Sequence, residues 1–225
     1  AYLLLKDQIV TVELSPGAVI DEKNLTERLG LGRTPIREAL GILTNERLVT
    51  AIPRRGRVVS EINLTDLRRI YEARSSCELP AVQMAAQRAS PADKAVASRY
   101  IADLEKLGSG AFDERDLVRL DYRCHAFIYR CTKNPFFEES LVRYLNLAMR
   151  LWYYQMDTLA YRKSTETNHA GIDELVKLLG AIIAGNPPTA IRTAREHILR
   201  SQNEILQSFF GDATGSQYAF NAEPA

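Results

Sequence analysis

Apolar residues recur at helical spacing along most of the chain and alternate with polar residues in one section only. Residues 3–12 and the segment DEKNLTERLG at 21–30 each predict a short helix, and Gly30 suits the left-handed residue that ends the second one. GRTPIREALGIL predicts a third helix. RLVTAI and GRVVSEI then alternate around the turn PRRG, which predicts two strands joined as a hairpin.

The third predicted helix exposes polar residues at its N-terminal end. Thr34 is predicted to cap the helix, and Pro35 to take its first position, where an N–H would have no partner anyway. The apolar residues of this helix are predicted to face inward: Ile36, Leu40 and Leu43. Arg33, Thr34 and Arg37 are then left near the exposed end.

After the hairpin the strand pattern stops, and helical patterns follow one another between breaks that contain Gly or Pro. Six helices are predicted, at 64–89, 91–107, 113–132, 135–159, 162–185 and 187–210. The closing segment GDATGSQYAFNAEPA has no apolar period and is predicted to be a flexible tail. The predicted fold is mainly α: three helices and a hairpin at 1–61, an all-α six-helix bundle at 62–211 and a tail at 212–225.

Composition defines the broad class of the protein. The 225 residues are 46% hydrophobic and 25% charged, which is typical of a globular protein with one or two domains. No apolar run approaches the roughly 20 residues that cross a bilayer, and the start lacks a signal-peptide pattern, so we expect a cytoplasmic protein without a membrane partner. The three cysteines form no CxxC pair and are expected to be reduced packing residues.

Positive charge is concentrated in the first domain. Between residues 33 and 57 there are six arginines and two glutamates, a local excess of four positive charges. A solvated surface is the common explanation of such a cluster. The order of elements favours another one, a helix whose N-terminal end enters the DNA major groove beside a hairpin tipped with arginines.

The segment LSPGAVIDEKNLTERLGLGRTPIREALGILTNERLVTAIPRRGRVV resembles the winged helix-turn-helix of GntR-family bacterial transcription regulators. The resemblance implies DNA contacts by Arg33 and Thr34 at the start of the recognition helix, by Arg37 one turn on and by Gly56 at the wing tip. We expect Arg37 to contact a guanine, because a guanidinium donates two hydrogen bonds to one guanine edge. The wing arginines are expected to contact phosphates, which orient the protein without selecting a sequence: Arg54, Arg55 and Arg57.

One position departs from the GntR pattern. Where the family usually has Glu-Gly-Leu after the recognition helix, this chain has Glu46, Arg47 and Leu48. A left-handed backbone at Arg47 would cost on the order of 1 kcal/mol. The fold is expected to tolerate that cost, with a local difference in the turn.

One aspartate and three histidines of the second domain fall on apolar helical faces. Asp121 and His125 lie four residues apart on its third helix, and His169 and His197 lie on its fifth and sixth. Each imidazole alone suits an ordinary core residue with a hydrogen bond. An inward carboxylate is costly unless it is paired or bound to a metal, and one divalent transition metal would satisfy all these groups. Zinc is preferred, with nickel, manganese or iron as alternatives.

This half resembles the FCD effector domain of FadR-type GntR regulators, whose metal-containing members carry Asp-x-x-x-His on one helix and a His on each of the last two. The resemblance implies one metal ion per chain, bound by Asp121, His125, His169 and His197. Cys124 stands where the family usually has an aromatic residue. Six helices rather than seven imply the shorter VanR-like subgroup.

Arg74 interrupts the apolar stripe on the first helix of this domain, so it is predicted to point inward. An ion pair with Glu78, one turn on, is one interpretation. Similar domains use an arginine here to bind an effector carboxylate through two parallel hydrogen bonds, which is the other. Tyr71, Trp152 and Tyr153 are interpreted as pocket wall or as ordinary core.

The resemblance implies a homodimeric transcriptional repressor, not an enzyme, that binds a palindromic double-stranded operator through its first domain. A small carboxylate effector bound at the metal, with Arg74 and Tyr71 as the effector-binding residues, would control operator affinity. Two alternatives stay open. The metal could activate water in a hydrolytic enzyme, or it could be purely structural in a protein that has no effector.

Overall fold

The chain begins with three short helices and a hairpin. A computed structural model describes residues 1–110, 112–158 and 165–210. The first elements are α1 (Tyr2–Val10), α2 (Glu22–Leu29), α3 (Arg33–Asn45), β1 (Val49–Ile52) and β2 (Gly56–Val59). The strands pair antiparallel, with Val49 opposite Val59 and Ile52 opposite Gly56. This order is that of a winged helix-turn-helix, as the sequence predicts.

The recognition helix α3 begins at Arg33, earlier than the sequence pattern suggests. Its N-cap is Gly32, and no side chain caps the helix. The prediction that Thr34 is the cap and Pro35 the first helical residue is therefore wrong. Pro35 is still tolerated, because the first four N–H groups of a helix have no partner within that helix. The apolar residues predicted to face inward are buried: Ile36, Leu40 and Leu43.

The backbone turns sharply after α2 and after α3. Gly30 ends α2 with φ 65°, in the left-handed region, as predicted. Arg47, just beyond α3, has φ 63°, so the site where the family usually has glycine does require a left-handed backbone. The backbone N–H of Leu48 then donates to the carbonyl of Leu43 at 3.0 Å, which satisfies an end carbonyl of α3.

The described residues after β2 form six helices, close to the predicted ones. They are α4 (Leu64–Arg88), α5 (Pro91–Gly108), α6 (Glu114–Cys131), α7 (Pro135–Thr158), α8 (Thr165–Ala184) and α9 (Pro187–Phe210). Helix α4 packs against α6, α7, α8 and α9 and is the central helix of the bundle. Its polar residues Arg74 and Glu78 are therefore buried. The predicted tail at 212–225 lies outside the described residues, and none of the described helices is long and apolar enough to cross a membrane.

Helix α7 of the second half contacts the first half at two places, α1 and the segment that follows β2. Helix α1 packs against α7, and the guanidinium of Arg150 on α7 donates to the backbone carbonyl of Ser60. Arg150 is only 2% exposed. Burial lowers the pKa of Arg150 to about 10, and the nearby carboxylate of Glu61 offsets part of that effect. The wing and the helical bundle are thus joined by a buried cation.

Candidate functional site

The residues predicted to contact DNA lie on one exposed surface of the first domain. Arg33, Thr34 and Arg37 are exposed at the N-terminal end of α3. The residues of the wing turn are exposed beside them, and Arg57 is half-buried: Arg54, Arg55 and Gly56. Gly56 has φ 86°, so the turn at the wing tip needs the left-handed backbone that glycine adopts without strain. The contacts of these residues with DNA stay predictions.

Sequence reasoning missed a carboxylate on this surface. Glu22, at the start of α2, accepts a hydrogen bond from Nε of Arg37 at 2.7 Å and another from Nη1 of Arg57 at 2.8 Å. The hydrogen bond from Arg37 is the main cause that lowers the pKa of Glu22, and Arg57 adds to it. Its only sequence signal is an acidic residue in the first turn of a helix, which is common.

Three of the four predicted metal ligands come together inside the helical bundle. Asp121, His125 and His197 each offer a ligand atom, and these atoms lie within 4.8 Å of one another. The two Nε2 atoms of the imidazoles are 3.1 Å apart. Oδ1 of Asp121 lies 3.8 Å from Nε2 of His125 and 3.5 Å from Nε2 of His197. Both imidazoles are buried.

A carboxylate lies close to the Nδ1 atom of each of these imidazoles. Nδ1 of His125 lies 3.3 Å from Oε1 of Glu78, and Nδ1 of His197 lies 3.0 Å from Oε2 of Glu174. A carboxylate accepts the Nδ1 proton, which leaves the Nε2 lone pair of each ring for the centre of the cluster. Carboxylates placed in this way orient the imidazole ligands of bound metals.

The charges in this cluster support one another. Burial alone would raise the pKa of Asp121, but the imidazoles of His125 and His197 outweigh it and hold that pKa below its usual range. Burial alone would lower the pKa of His197, but the hydrogen bonds with Asp121 and Glu174 raise it. The arrangement therefore favours ionised carboxylates beside a protonated His197, and a metal ion would have to displace that proton in order to bind the ring.

The donor set fits a divalent transition metal. Two imidazole nitrogens bound to one tetrahedral zinc ion are roughly 3.4 Å apart, because each bond is about 2.0–2.1 Å long. The Nε2 atoms here are 3.1 Å apart. Two imidazoles and one carboxylate also form the mixed nitrogen and oxygen set that zinc, nickel, manganese and iron accept. These three residues could hold such an ion and leave positions open for other ligands.

His169, the fourth predicted ligand, lies apart from the other three. Its Nε2 is 2.9 Å from the backbone carbonyl of Gly108, at the end of α5. Gly171 and Leu175, on the same helix α8, line the cavity beside the cluster instead. His169 precedes Gly171 by two residues, or about 200° around the helix. The side chain of His169 is therefore directed at α5 and not at the other three predicted ligands. Its role as a metal ligand stays a prediction.

Arg74 forms the ion pair with Glu78 through two of its three guanidinium nitrogens. Nε of Arg74 is 3.1 Å from Oε2 of Glu78, and Nη2 is 3.2 Å from Oε1. Nη1 is buried and has no hydrogen-bond partner among the described residues. Arg74 also lines the cavity that Asp121 and His197 line. The internal pair expected from the sequence is present, and it leaves a donor for an anion in that cavity.

The aromatic candidates divide between the cavity and the core. Trp152 lines the cavity, but Tyr71 does not. The hydroxyl of Tyr71 lies 2.8 Å from Oγ of Ser201, and Ser201 lines the cavity. Tyr153 is buried beneath the guanidinium of Arg115, whose Cζ is 5.4 Å from the ring centroid. Tyr71 contributes to the cavity through Ser201, and its own contact with an effector stays a prediction.

A second arginine of the cavity was not predicted from the sequence. Arg200 donates from Nη2 to Oε2 of Glu174 at 2.8 Å and pairs with Glu204 one turn on. A Cβ atom on Gly171 would lie 3.1 Å from Nη2 of Arg200, so glycine leaves room for this guanidinium. The spacing of Arg200 and Glu204 is visible in the sequence, but their partner Glu174 is on another helix.

The fold and the cluster define a class of protein: a winged helix-turn-helix domain joined to a helical domain with a buried cluster of histidines and an aspartate. Residues 1–59 match the model of bacterial regulatory proteins of the gntR family, and residues 69–200 match the model of the FCD domain. The second match alone covers more than half of the 225 residues. The chain therefore belongs to the GntR family of bacterial regulatory proteins and carries an FCD domain.

Relatives of this chain are transcriptional regulators. It is 28% identical to the HTH-type transcriptional repressor GlaR of Escherichia coli (strain K12), over 94% of this chain and 96% of that protein. It is 34% identical to an HTH-type regulator in an unstable DNA locus of Streptomyces ambofaciens, over 57% of this chain but only 53% of that protein. In fold it resembles McbR/YncC of E. coli, with a TM-score of 0.80 and 23% identity over 92% of this chain and 96% of that one.

These matches give the general function. GntR winged helix-turn-helix proteins bind DNA, and FCD domains bind small-molecule effectors. The chain belongs to this family, and it is accordingly a transcriptional regulator and not an enzyme. The hydrolytic alternative is thereby set aside.

Proposed function

We propose that this protein is a transcriptional repressor in which a small carboxylate, bound beside a divalent metal, controls affinity for a palindromic operator. The observation that carries the proposal is the convergence of Asp121, His125 and His197 on one point beside a cavity that Arg74 also lines. A buried group of this composition suits a cation, and the neighbouring guanidinium suits an anion. The repressor is proposed to act as a homodimer in the cytoplasm, within the VanR-like subgroup.

Asp121, His125 and His197 would hold the metal, one ion per chain, with zinc preferred. When bound, the ion would supply a Lewis acid toward an anionic oxygen of the effector. Glu78 and Glu174 orient the two imidazoles by accepting their Nδ1 protons. His169 would become a fourth ligand only by leaving the carbonyl of Gly108.

Arg74 is the residue we propose to bind the effector carboxylate. Its ion pair with Glu78 fixes the guanidinium plane, and Nη1 remains to donate to a carboxylate oxygen. The cavity is also lined by Ser201, which is hydrogen-bonded to the hydroxyl of Tyr71, and by the largely apolar side chain of Trp152. The proposed effector is therefore small, anionic and partly apolar.

DNA binding is proposed to follow the family pattern. Arg33, Thr34 and Arg37 would enter the major groove, with Arg37 on a guanine. Gly56 would allow close approach of the wing, and the wing arginines would contact phosphates: Arg54, Arg55 and Arg57. In a homodimer the two recognition helices would meet half-sites about one helical turn apart.

Two routes connect the cavity to the DNA-binding domain. Helix α4 begins only a few residues after β2 and carries Arg74. Helix α7 lines the cavity with Met149 and Trp152, and on its other side Arg150 donates to the carbonyl of Ser60. A shift of either helix on effector binding would change the spacing of the recognition helices. Effector and operator binding must then be coupled reciprocally, typically by about 1–3 kcal/mol.

The decisive experiment measures metal content and then screens the metal-loaded protein against small carboxylates by thermal shift. We expect about one ion per chain and at least one carboxylate that raises the melting temperature and changes operator affinity. Arg74→Gln should lose that response, whereas Arg119→Gln, which changes an exposed arginine of α6, should keep it. A metal-loaded protein that no carboxylate stabilises, together with an unfolded metal-free form, would instead indicate a purely structural metal.

A further inference from the structure

Three elements of the DNA-binding domain meet at one side chain, Glu22. It lies at the first position of α2, and its two carboxylate oxygens bind arginines from two other elements. Oε2 accepts from Arg37 on the recognition helix, and Oε1 accepts from Arg57 on the second wing strand. A single carboxylate thus connects the helix that is proposed to enter the major groove with the wing that is proposed to contact phosphates.

We propose that Glu22 is a positioning residue for DNA recognition, which holds the guanidinium groups of Arg37 and Arg57 in one fixed arrangement before DNA arrives. The inference rests on the proposed guanine contact of Arg37. Glu22 would then help to determine which operator sequence is preferred, although it makes no contact with DNA itself.

Glu22 is itself held rigidly. Asp21 caps α2 by accepting from the backbone N–H groups of Lys23 and Asn24, at 2.9 and 3.1 Å. Leu25 anchors the helix in the core, and Gly30 ends it in a left-handed turn. The carboxylate of Glu22 therefore projects from a short helix whose two ends are both fixed, so it can orient the more mobile arginines.

The hydrogen-bond geometry suits a guanine contact. Arg37 is 68% exposed in its side chain, so its rotamers would be free without a partner. Because Glu22 uses Nε, both terminal nitrogens of Arg37 remain available for a base edge. Ordering a long side chain before binding removes an entropy cost that would otherwise fall on the complex.

Stability gives little reason for the pair with Arg37, because that arginine is 68% exposed and exposed ion pairs contribute little to folding. The pair with Arg57 is half-buried, but a negative charge on a DNA-facing surface also repels phosphates. Glu22 therefore weakens binding to DNA in general while it orders two arginines. In Glu22→Gln the loss of negative charge should strengthen binding to any DNA, whereas the loss of order in the two arginines should weaken binding to the preferred sequence. The inference is testable because these two effects have opposite signs.

The test uses the full-length protein and two duplexes: one selected by the wild-type protein from a random-sequence library, and a scrambled version of it. Three variants are compared at several salt concentrations. Glu22→Gln removes the charge and Glu22→Asp keeps the charge but shortens its reach. Glu38→Gln, on an exposed position of α3, is the matched control for losing one negative charge.

We expect Glu22→Gln to bind scrambled DNA about threefold more tightly, like Glu38→Gln, because both remove repulsion of phosphates. On the selected duplex Glu38→Gln should gain by the same factor, whereas Glu22→Gln should lose about tenfold through the disordered guanine contact. Glu22→Asp should lose affinity for the selected duplex without any gain on scrambled DNA.

Equal behaviour of Glu22→Gln and Glu38→Gln on both duplexes would overturn the inference. The selection is repeated with Glu22→Gln and with Arg37→Ala. A base preference that Glu22→Gln changes at a position where Arg37→Ala leaves it unchanged would overturn the inference in favour of a direct base contact by Glu22. Arg37→Ala separates the two proposals. If Arg37→Ala keeps the wild-type base preference, the proposed guanine contact is wrong, and the positioning role of Glu22 is wrong with it. If Arg37→Ala loses that preference but Glu22→Gln keeps it, only the positioning role of Glu22 is wrong.

Discussion

The two halves of this protein use arginine in opposite environments. In the DNA-binding domain Arg33 and Arg37 are exposed on a helix end, and Arg54 and Arg55 are exposed in the wing turn. In the helical domain Arg74 and Arg150 are only 1% and 2% exposed. The first group remains hydrated until DNA arrives, and the second has already lost its water within the fold.

This difference determines what each group can do. An exposed guanidinium contributes to DNA binding mainly by displacing counterions from phosphates, so its effect depends on salt. A buried guanidinium is costly unless protein groups compensate it, and any donor that they leave over is directed at an enclosed site. Arg74 is such a case, because Glu78 binds two of its nitrogens and the third has no hydrogen-bond partner among the described residues.

Stability provides the largest test of this comparison. Arg74→Ala leaves the carboxylate of Glu78 buried without its ion pair, so we expect a loss of about 3–5 kcal/mol in the free energy of unfolding. Arg37→Ala, on the exposed surface, should change that free energy by no more than about 0.5 kcal/mol. Urea unfolding of the metal-loaded protein measures both.

The double variant Arg74→Met/Glu78→Gln is the control for the stability test. It removes the charge that Arg74→Ala leaves uncompensated and should recover part of the lost stability. Equal effects of Arg74→Ala and Arg37→Ala would contradict the contrast between buried and exposed arginines.

Metal affinity tests the centre of the helical domain. His197→Ala removes a ligand of the proposed site and should lower zinc affinity by at least about 100-fold, whereas Glu174→Gln should lower it about 10–100-fold by releasing the ring of His197. His169→Ala should change it only a few-fold, because its Nε2 is directed at Gly108. Competition with a zinc chelator gives the three constants. A loss in His169→Ala as large as in His197→Ala would restore the four-ligand set.

DNA affinity tests the exposed arginines. Arg37→Ala should cost about 1–3 kcal/mol on the operator and little on random DNA, because it removes a base contact. Arg55→Ala should weaken binding to both and reduce the salt slope by about one, because it removes a phosphate contact. Fluorescence anisotropy over a range of salt concentrations separates the two. An unchanged operator affinity in Arg37→Ala would mean that the recognition helix is placed incorrectly on the DNA.

Arg150 gives the smallest expected effect and sharpens the comparison. It is as buried as Arg74, but its described acceptor is the carbonyl of Ser60 and the nearby carboxylate of Glu61 is exposed. Arg150→Met therefore leaves no buried charge behind, and we expect stability to stay within about 1 kcal/mol or to rise. Hydrogen exchange at residues 60–63 should become faster. Unchanged exchange there would argue against Arg150 as a link between the domains.

Local pattern was sufficient for the elements of this fold. The six helices of the second domain, the left-handed Gly30 and the hairpin around PRRG agree with what spacing and turn residues predict. Asp121 and His125 were placed correctly on one face because four residues return to nearly the same side of a helix. The start of α3 was misjudged, because Gly32 caps it through the backbone and leaves no side-chain signal.

Only the tertiary structure decided which groups meet across elements. Helix α8 packs against both α5 and α9, so a periodic stripe shows that its residues are buried without showing which neighbour they face. His169 faces Gly108 on α5, while Glu174 reaches His197 on α9. The contact of Glu22 with Arg37 and Arg57 likewise joins residues 15 and 35 positions apart. Periodicity constrains the rotation of each residue about its own helix axis, whereas contacts between helices depend on packing angles that involve the whole core.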